Sequence, residues 1–111
     1  TIASGNCVFI HTDGKVYSAN GGTTAEKNGV VGIVTHAVEA NQSVNIIYSG
    51  IAQGRVGGDT IDEGMLLVAG TTDGQLDVEG TAGNTAGVLV GKALSGSNTQ
   101  GELFTLLVTI G

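Results

Sequence analysis

Proline and tryptophan are absent from the 111 residues, and aromatic side chains make up only 4% of them: Phe9, Tyr17, Tyr48 and Phe104. Without proline, every turn must come from glycine and Asx chemistry. Without large rings, core volume must come from Val, Ile and Leu, and a sugar-binding groove walled by aromatics has little to be built from. Basic residues number four (Lys15, Lys27, Arg55 and Lys92), scattered along a chain of net charge −6. Nucleic acid is bound by clustered Lys and Arg that neutralise phosphates, and an anionic bilayer draws on the same charges. The sequence therefore points to neither nucleic acid nor membrane as a partner. A single cysteine, Cys7, excludes an internal disulfide and fits a reducing compartment. No apolar run approaches the roughly 18 residues of a membrane span. No basic start followed by an apolar block marks a signal peptide.

What is present is small, apolar and glycine-rich. The apolar share is 41% and glycine contributes 20 residues. The length suits one domain over residues 1–111. Short apolar or β-branched segments lie at Val8–Ile10, Val30–Val34, Val44–Tyr48, Met65–Ala69, Val88–Val90 and Leu103–Ile110. Turn pairs bound them, among them Asp13-Gly14, Asn20-Gly21, Asn28-Gly29, Asp73-Gly74 and Gly83-Asn84, which supply the positive φ of tight hairpins. Thr23–Lys27 has room for one helical turn. Ile33–Glu39 fits a short helix by spacing, and its β-branched residues favour strand. The class is all-β with little helix. Each glycine inside an element costs roughly 0.5–1 kcal/mol relative to alanine. A core without large rings has little to set against that, so the chain is expected to gain stability from copies of itself or from a larger surface.

The chain says nearly the same thing twice. Residues 28–50 read NGVVGIVTHAVEANQSVNIIYSG, and residues 86–111 read AGVLVGKALSGSNTQGELFTLLVTIG. Both open on Gly-Val (Gly29-Val30, Gly87-Val88), carry an inner glycine (Gly32, Gly91) and close on an apolar run ending in glycine (Gly50, Gly111). Upstream, Asp13-Gly14-Lys15-Val16 recurs as Asp73-Gly74-Gln75-Leu76. This reads as two similar bent β-ribbons sharing one core, at about residues 10–70 and 70–111, with Ile51–Gly64 a connector attached to the first.

Chemistry is sparse. His11 and Asp13 could pair as acid and base, but they sit where a strand runs into an Asp-Gly turn and read as surface residues. His36, in an apolar stretch, reads as packed or half-exposed. Cys7 and His11 share a strand face at a separation of roughly 13 Å, too far for a nucleophile and its base; Cys7 reads as a buried structural residue. Asp59, Asp62 and Glu63 form the densest acidic group; such carboxylates can hold a hard cation or serve as a solvated loop, and the second reading is preferred. No Gly-Lys-Ser/Thr phosphate loop and no Gly-x-Ser-x-Gly elbow occurs. The expectation is a non-enzyme with no catalytic residues, no metal and no cofactor. Rival readings are a small β-barrel binding module and a tail or fibre component of a virion.

Gly14-Lys15-Val16-Tyr17, Gly21-Gly22-Thr23-Thr24, Gly29–Val34 and Val44–Gly50, followed by Glu63–Val68, Asp73-Gly74-Gln75 and Gly87–Ala93, resemble the capsid decoration, or cement, proteins of lambda-like phages. The resemblance covers about residues 13–111. It implies a small β-clip-like or β-tulip-like barrel or sandwich of bent ribbons, usually trimeric. Such a protein binds the major capsid protein on the outside of an expanded shell and stabilises the virion, having been made in the host cytoplasm. In that family a long proline-bearing arm reaches the shell; here only a short N-terminal arm, residues 1–6, precedes the first strand. The resemblance makes Thr1, Ile2, Ala3 and Ser4 the expected capsid contacts.

Overall fold

The computed structural model describes residues 2–22, 24–39, 42–79 and 88–110, with Thr24 and Ala25 as backbone only. The chain runs β1 (Cys7–Ile10), β2 (Val16–Ser18), α1 (Thr24–Asn28), β3 (Val30–Val34), β4 (Ile46–Ile47), β5 (Ser49–Arg55), β6 (Leu66–Ala69), β7 (Leu76–Val78), β8 (Gly91–Ala93) and β9 (Leu103–Thr109). Two antiparallel sheets result, ordered β2-β1-β3-β4 and β5-β9-β8-β6-β7. Among the described residues no ladder closes either sheet. One parallel bridge, Val56 to Leu76, ties the end of β5 to β7. Of the barrel and the sandwich, the sandwich is the one that forms.

The turns follow the Asp-Gly pairs. Gly14 and Gly74 take φ of 81° and 77° at the tips of the β1–β2 and β6–β7 hairpins, a region closed to most side chains. Asp13 Oδ1 accepts the Lys15 N–H at 2.8 Å and fixes the first tip. The second tip is fastened to the other sheet: Gly74 accepts from Cys7 N–H at 2.9 Å and donates to Ala19 C=O at 2.8 Å.

The doubling is a repeat of topology. Strand order β2-β1-β3-β4 recurs as β7-β6-β8-β9, with β5 added beyond β9. Register carries the match to single residues. Val8 lies across from Ser18 and Gly32, as Leu67 lies across from Val78 and Gly91. Ile33 faces Ile47 as Lys92 faces Leu107.

These correspondences also fix how the units stack. In the first sheet, Val8, Val34 and Ile46 share one face, the front, and Cys7, Phe9, Ile33 and Ile47 share the back. The front of the second sheet, by register, is Leu67, Ala93 and Leu106; its back is Leu66, Lys92 and Leu107. The main core joins Cys7, Phe9 and Ile33 to Leu67, Ala93 and Leu106. The second unit's front therefore covers the first unit's back: the ribbons stack in tandem, front to back. The first unit's front has its own cover, a satellite cluster of Val8, Val34 and Val38 with Ile2, Val44 and Ile46 at its rim.

Several local expectations are corrected. The segment read as a connector from Ile51 begins with the longest ladder of the fold, Ser49–Arg55 against Leu103–Thr109. Its burial alternates along the strand, but Gly50 and Gly54 hide the pattern from propensity. The expected strand Val44–Tyr48 contracts to Ile46–Ile47. The expected strand Val88–Val90 gives way to Gly91–Ala93, with Val90 only hydrogen-bonded to Leu67 and Thr109 in passing. Ile33–Glu39 is strand only to Val34; Val38 then makes an isolated bridge with Ile2. The single helical turn is present as Thr24–Asn28. Gly83-Asn84 lies outside the described residues.

Candidate functional site

The fold scatters the residues that could carry chemistry. His11 and Asp13 are exposed at the first hairpin tip, Nδ1 to Oδ1 3.9 Å apart. The firmer partner of Asp13 is Tyr17, whose hydroxyl donates to Oδ2 at 2.7 Å. That hydrogen bond, helped by the Lys15 amide, holds the Asp13 carboxyl below its usual range and raises the Tyr17 phenol above its own. The His11 ring packs edge-on against both Phe9 and Tyr17, whose own rings are tilted by 36° to each other. His36, expected packed or half-exposed, is exposed in the bend after β3, where the strand has ended and no element covers it.

Cys7 is fully buried, and burial pushes its thiol up to about 12, with the Asp77 charge adding to the shift. The protonated thiol is thus favoured by the fold. Its contribution to stability is intact below the ordinary thiol value of 9.0 and is lost as pH rises from there toward about 12. At pH 8 the native protein is expected to resist a thiol reagent such as DTNB until denaturant unfolds it. Rapid stoichiometric labelling of the native state would show that Cys7 is accessible and ionised.

The acidic group does not converge. Asp59 turns inward and its Oδ2 accepts the Val78 N–H at 3.1 Å, while Asp62 and Glu63 stay exposed in the turn before Met65. Among the described residues no three His, Cys, Asp or Glu side chains gather as a set for a metal ion. The buried carboxylate is one that sequence reading missed. Asp77 is 3% exposed on the back of β7, and its Oδ1 accepts the Gly58 N–H at 2.7 Å. Gly57 and Gly70 press so closely on this carboxylate that a Cβ at either would collide with it. The signal was available: one acid between Leu76 and Val78, with the Gly57-Gly58 pair elsewhere in the chain.

The N-terminal residues lie against the body. Ile2 and Val38 exchange both backbone hydrogen bonds at 2.9 Å. The Arg55 guanidinium donates to Ser4 C=O at 2.8 Å and to Gly101 C=O at 2.9 Å, stapling the segment to the β8–β9 loop. Ala3 accepts the Asn6 N–H, and Thr1 lies outside the described residues. Beside this segment is a cleft of about 190 Å³ lined by Ser4, Val34, Thr35, Gln53 and Leu103 among others. No titratable side chain lines it, and it is smaller than the roughly 300 Å³ at which small-molecule sites begin.

What the fold does assemble is a surface. Across the back of the second sheet, Ile51, Leu107, Lys92 and Leu66 stand in one row over four strands, each directly paired with the next. Ile51 is 68% exposed and Leu66 42%. Tyr48, Leu94 and Leu103 are also exposed. The other end of the same face is closed, because the Gly57–Asp59 loop lies over Asp77 and its neighbour Val68 is buried. Exposed aliphatic side chains gathered on one sheet face, here interrupted by Lys92, are the kind of feature that marks interaction surfaces. No helix of the described residues is long and apolar enough to cross a membrane. No protein-family model matches the chain, and no curated protein matches it.

Proposed function

We propose that the chain is a structural virion protein: it binds the outer surface of an expanded phage capsid, against the major capsid protein, and stabilises the shell as a decoration protein. The observation that carries this reading is the outward row on the second sheet, exposed Ile51, Lys92 and Leu66 with half-buried Leu107, in a fold whose candidate acids, bases and thiol are dispersed or buried. Such a molecule works through contact area rather than through a reaction cleft. The all-β sandwich is compatible with the bent-ribbon domain that the sequence resemblance implies. The net charge of −6 keeps free copies soluble and away from packaged DNA. Of the expected contacts Thr1, Ile2, Ala3 and Ser4, the described ones, Ile2, Ala3 and Ser4, would meet the shell as the rim of the first sheet, held in place by Val38 and Arg55, rather than as a released arm. The partners on this reading are the capsid and further copies of the chain, and the location is the virion exterior.

Cosedimentation with empty shells tests it. Saturable binding to expanded shells, weak binding to unexpanded ones and a higher rupture temperature of the decorated shell are the expected results. Equal binding to both shells, or none to either, overturns the reading.

A further inference from the structure

We propose that the outer edge of β5, together with the cleft beside it, takes an extended segment of a partner protein as a further antiparallel strand, with one bulky apolar side chain of that segment seated in the cleft. The inference is independent of the capsid reading, because it rests on backbone direction and on the cleft alone. The ladder shows which way the backbone of β5 points. Val56 N–H donates to Glu102 C=O at 3.0 Å, in the same register that pairs Ser49 with Thr109 and Arg55 with Leu103. Hydrogen-bonded and non-bonded pairs alternate along an antiparallel ladder. Gly50, Ala52 and Gly54 therefore bond to β9, and the N–H and C=O groups of Ser49, Ile51 and Gln53 point away from it. The other side of β9 agrees. Thr109 donates to Val90 and Leu94 donates to Thr105, so the odd-numbered residues of β9 serve β8 and its even-numbered ones serve β5. Among the described residues no backbone group bonds to the outward N–H or C=O of Ile51 or Gln53.

Charges and prolines are what usually keep a strand edge from pairing, and β5 carries neither between Ser49 and Gly54. The other edge strands are shorter or covered: β2 and β4 have three and two residues, and the bridge from Val56 lies along β7. Ser4 and Gly5 cross β5 only at its far end, against Arg55 and the Gln53 carbonyl. Both backbone groups of Ile51 and the Gln53 N–H are left for an incoming strand. The cleft of about 190 Å³ sets its side chains. A residue placed opposite Ala52 shares its face, and Ala52 lines the cleft with Ile33, Thr35, Ile47 and Leu103. An apolar cavity of about 150 Å³ holds a benzene ring, so this one has room for a single Phe or Leu side chain. The neighbouring residues would stand on the outer face. Beside Ile51, which is 68% exposed, an apolar side chain is favoured, and beside exposed Gln53 a polar one. From its N-terminus the segment reads polar, bulky apolar, apolar. Strand addition of this kind draws affinity from main-chain bonds and specificity from the pocket.

A blocked hexapeptide, acetyl-Lys-Thr-Phe-Val-Thr-Lys-amide, tests this; it carries the pattern, and its basic ends suit a chain of net charge −6. In the free protein, hydrogen exchange followed by NMR is expected to be fast at the Ile51 and Gln53 amides and slow at Ala52. Titration with the peptide is expected to shift Ile51, Gln53 and Thr35, to slow exchange at Ile51 and Gln53, and to give a Kd of about 10 μM–1 mM. N-methylation of the peptide's Val, or alanine in place of its Phe, is expected to weaken binding roughly tenfold or more. In the protein, Gln53→Pro removes an outward N–H that the β9 ladder does not use, as an edge strand tolerates, and Thr35→Phe fills the cleft from an exposed position. Each is expected to keep the fold and lose the peptide. If Gln53→Pro does not fold, Thr35→Phe and the modified peptides decide. Ile51 and Gln53 amides as protected as Ala52 in the free protein overturn the proposal, since the edge would already be paired. So does a peptide that binds more weakly than about 1 mM, or an N-methylated peptide that binds as well as its parent.

Discussion

Alanine at Gly91 is expected to lower the unfolding free energy by about 1–3 kcal/mol, and alanine at Gly32 by a similar amount. The two glycines are the inner glycines of the doubled sequence, and they occupy corresponding positions of β8 and β3. A Cβ on Gly91 would drive into the carbonyl oxygen of Leu107, on β9; one on Gly32 would meet Ile46 and the carbonyl of Ile47, on β4. Neither glycine has a positive φ, so the requirement is for space between paired strands rather than for an unusual backbone. The obstacle is backbone in both cases, and a ladder cannot move aside without giving up its hydrogen bonds. Gly58 is the control. A Cβ there meets nothing within 4 Å, and its φ is ordinary, so Gly58→Ala is expected to be neutral or to stabilise by about 0.4–1 kcal/mol through the unfolded chain. Urea titration reads all three. The midpoint should fall for Gly91→Ala and Gly32→Ala with the slope unchanged. A Gly91→Ala protein as stable as wild type would show that β8 and β9 can separate without cost.

The same glycines explain how the sequence could reveal the doubling and still conceal its geometry. Asp13-Gly14 against Asp73-Gly74, and Gly32 against Gly91, are backbone requirements. They survive in the letters because each admits glycine and little else. Which face of each ribbon turns inward is a matter of side-chain alternation, and there the letters are silent. β1 reads CVFI and β6 reads LLVA, apolar on both faces. In β1 both faces are covered, one by the second sheet and one by Ile2 and Val38; in β6 the outward Leu66 stays in solvent. Nothing in four consecutive apolar residues distinguishes these situations. Strand β5 escaped for the opposite reason, since Gly50 and Gly54 weaken its apparent propensity while Leu103–Thr109 supplies the pairing from 48 to 60 residues away. Arg55 was illegible as a structural residue because its partners, Ser4 and Gly101, are distant in sequence; Asp77 showed as an acid between two apolar residues, while its partner Gly58 is equally out of local reach. The acidic triplet Asp59, Asp62 and Glu63 looked like one feature in the letters. The turn at Gly64, with φ of 87°, follows two acids left outside, while Asp59 caps β7.

Truncating Leu76 to alanine is expected to have the largest effect of any single change, about 2–5 kcal/mol, against a total stability for a chain of this length of about 5–15 kcal/mol. Leu76 is fully buried on the front of β7. Its backbone also bridges Val56 and accepts the Gly57 N–H at 2.7 Å, so the strand beneath is anchored and cannot collapse into the void. Across the core the void opens onto Gly54 of β5. A Cβ on Gly54 would lie 2.8 Å from Leu76 Cδ1 and 3.1 Å from Leu106 Cδ2. In the wild type that contact is too close, and Gly54→Ala alone is expected to cost about 1–3 kcal/mol by overpacking. In the Leu76→Ala background the clashing methyl is gone and the new one enters the space it left. The double variant is therefore expected to be more stable than the sum of the single losses predicts, by about 1–2 kcal/mol. Thermal or urea unfolding of the four proteins closes the cycle. Additive losses would mean that Gly54 and Leu76 do not share a wall of the core, and the seating of β5 against β7 in the second sheet would have to be redrawn.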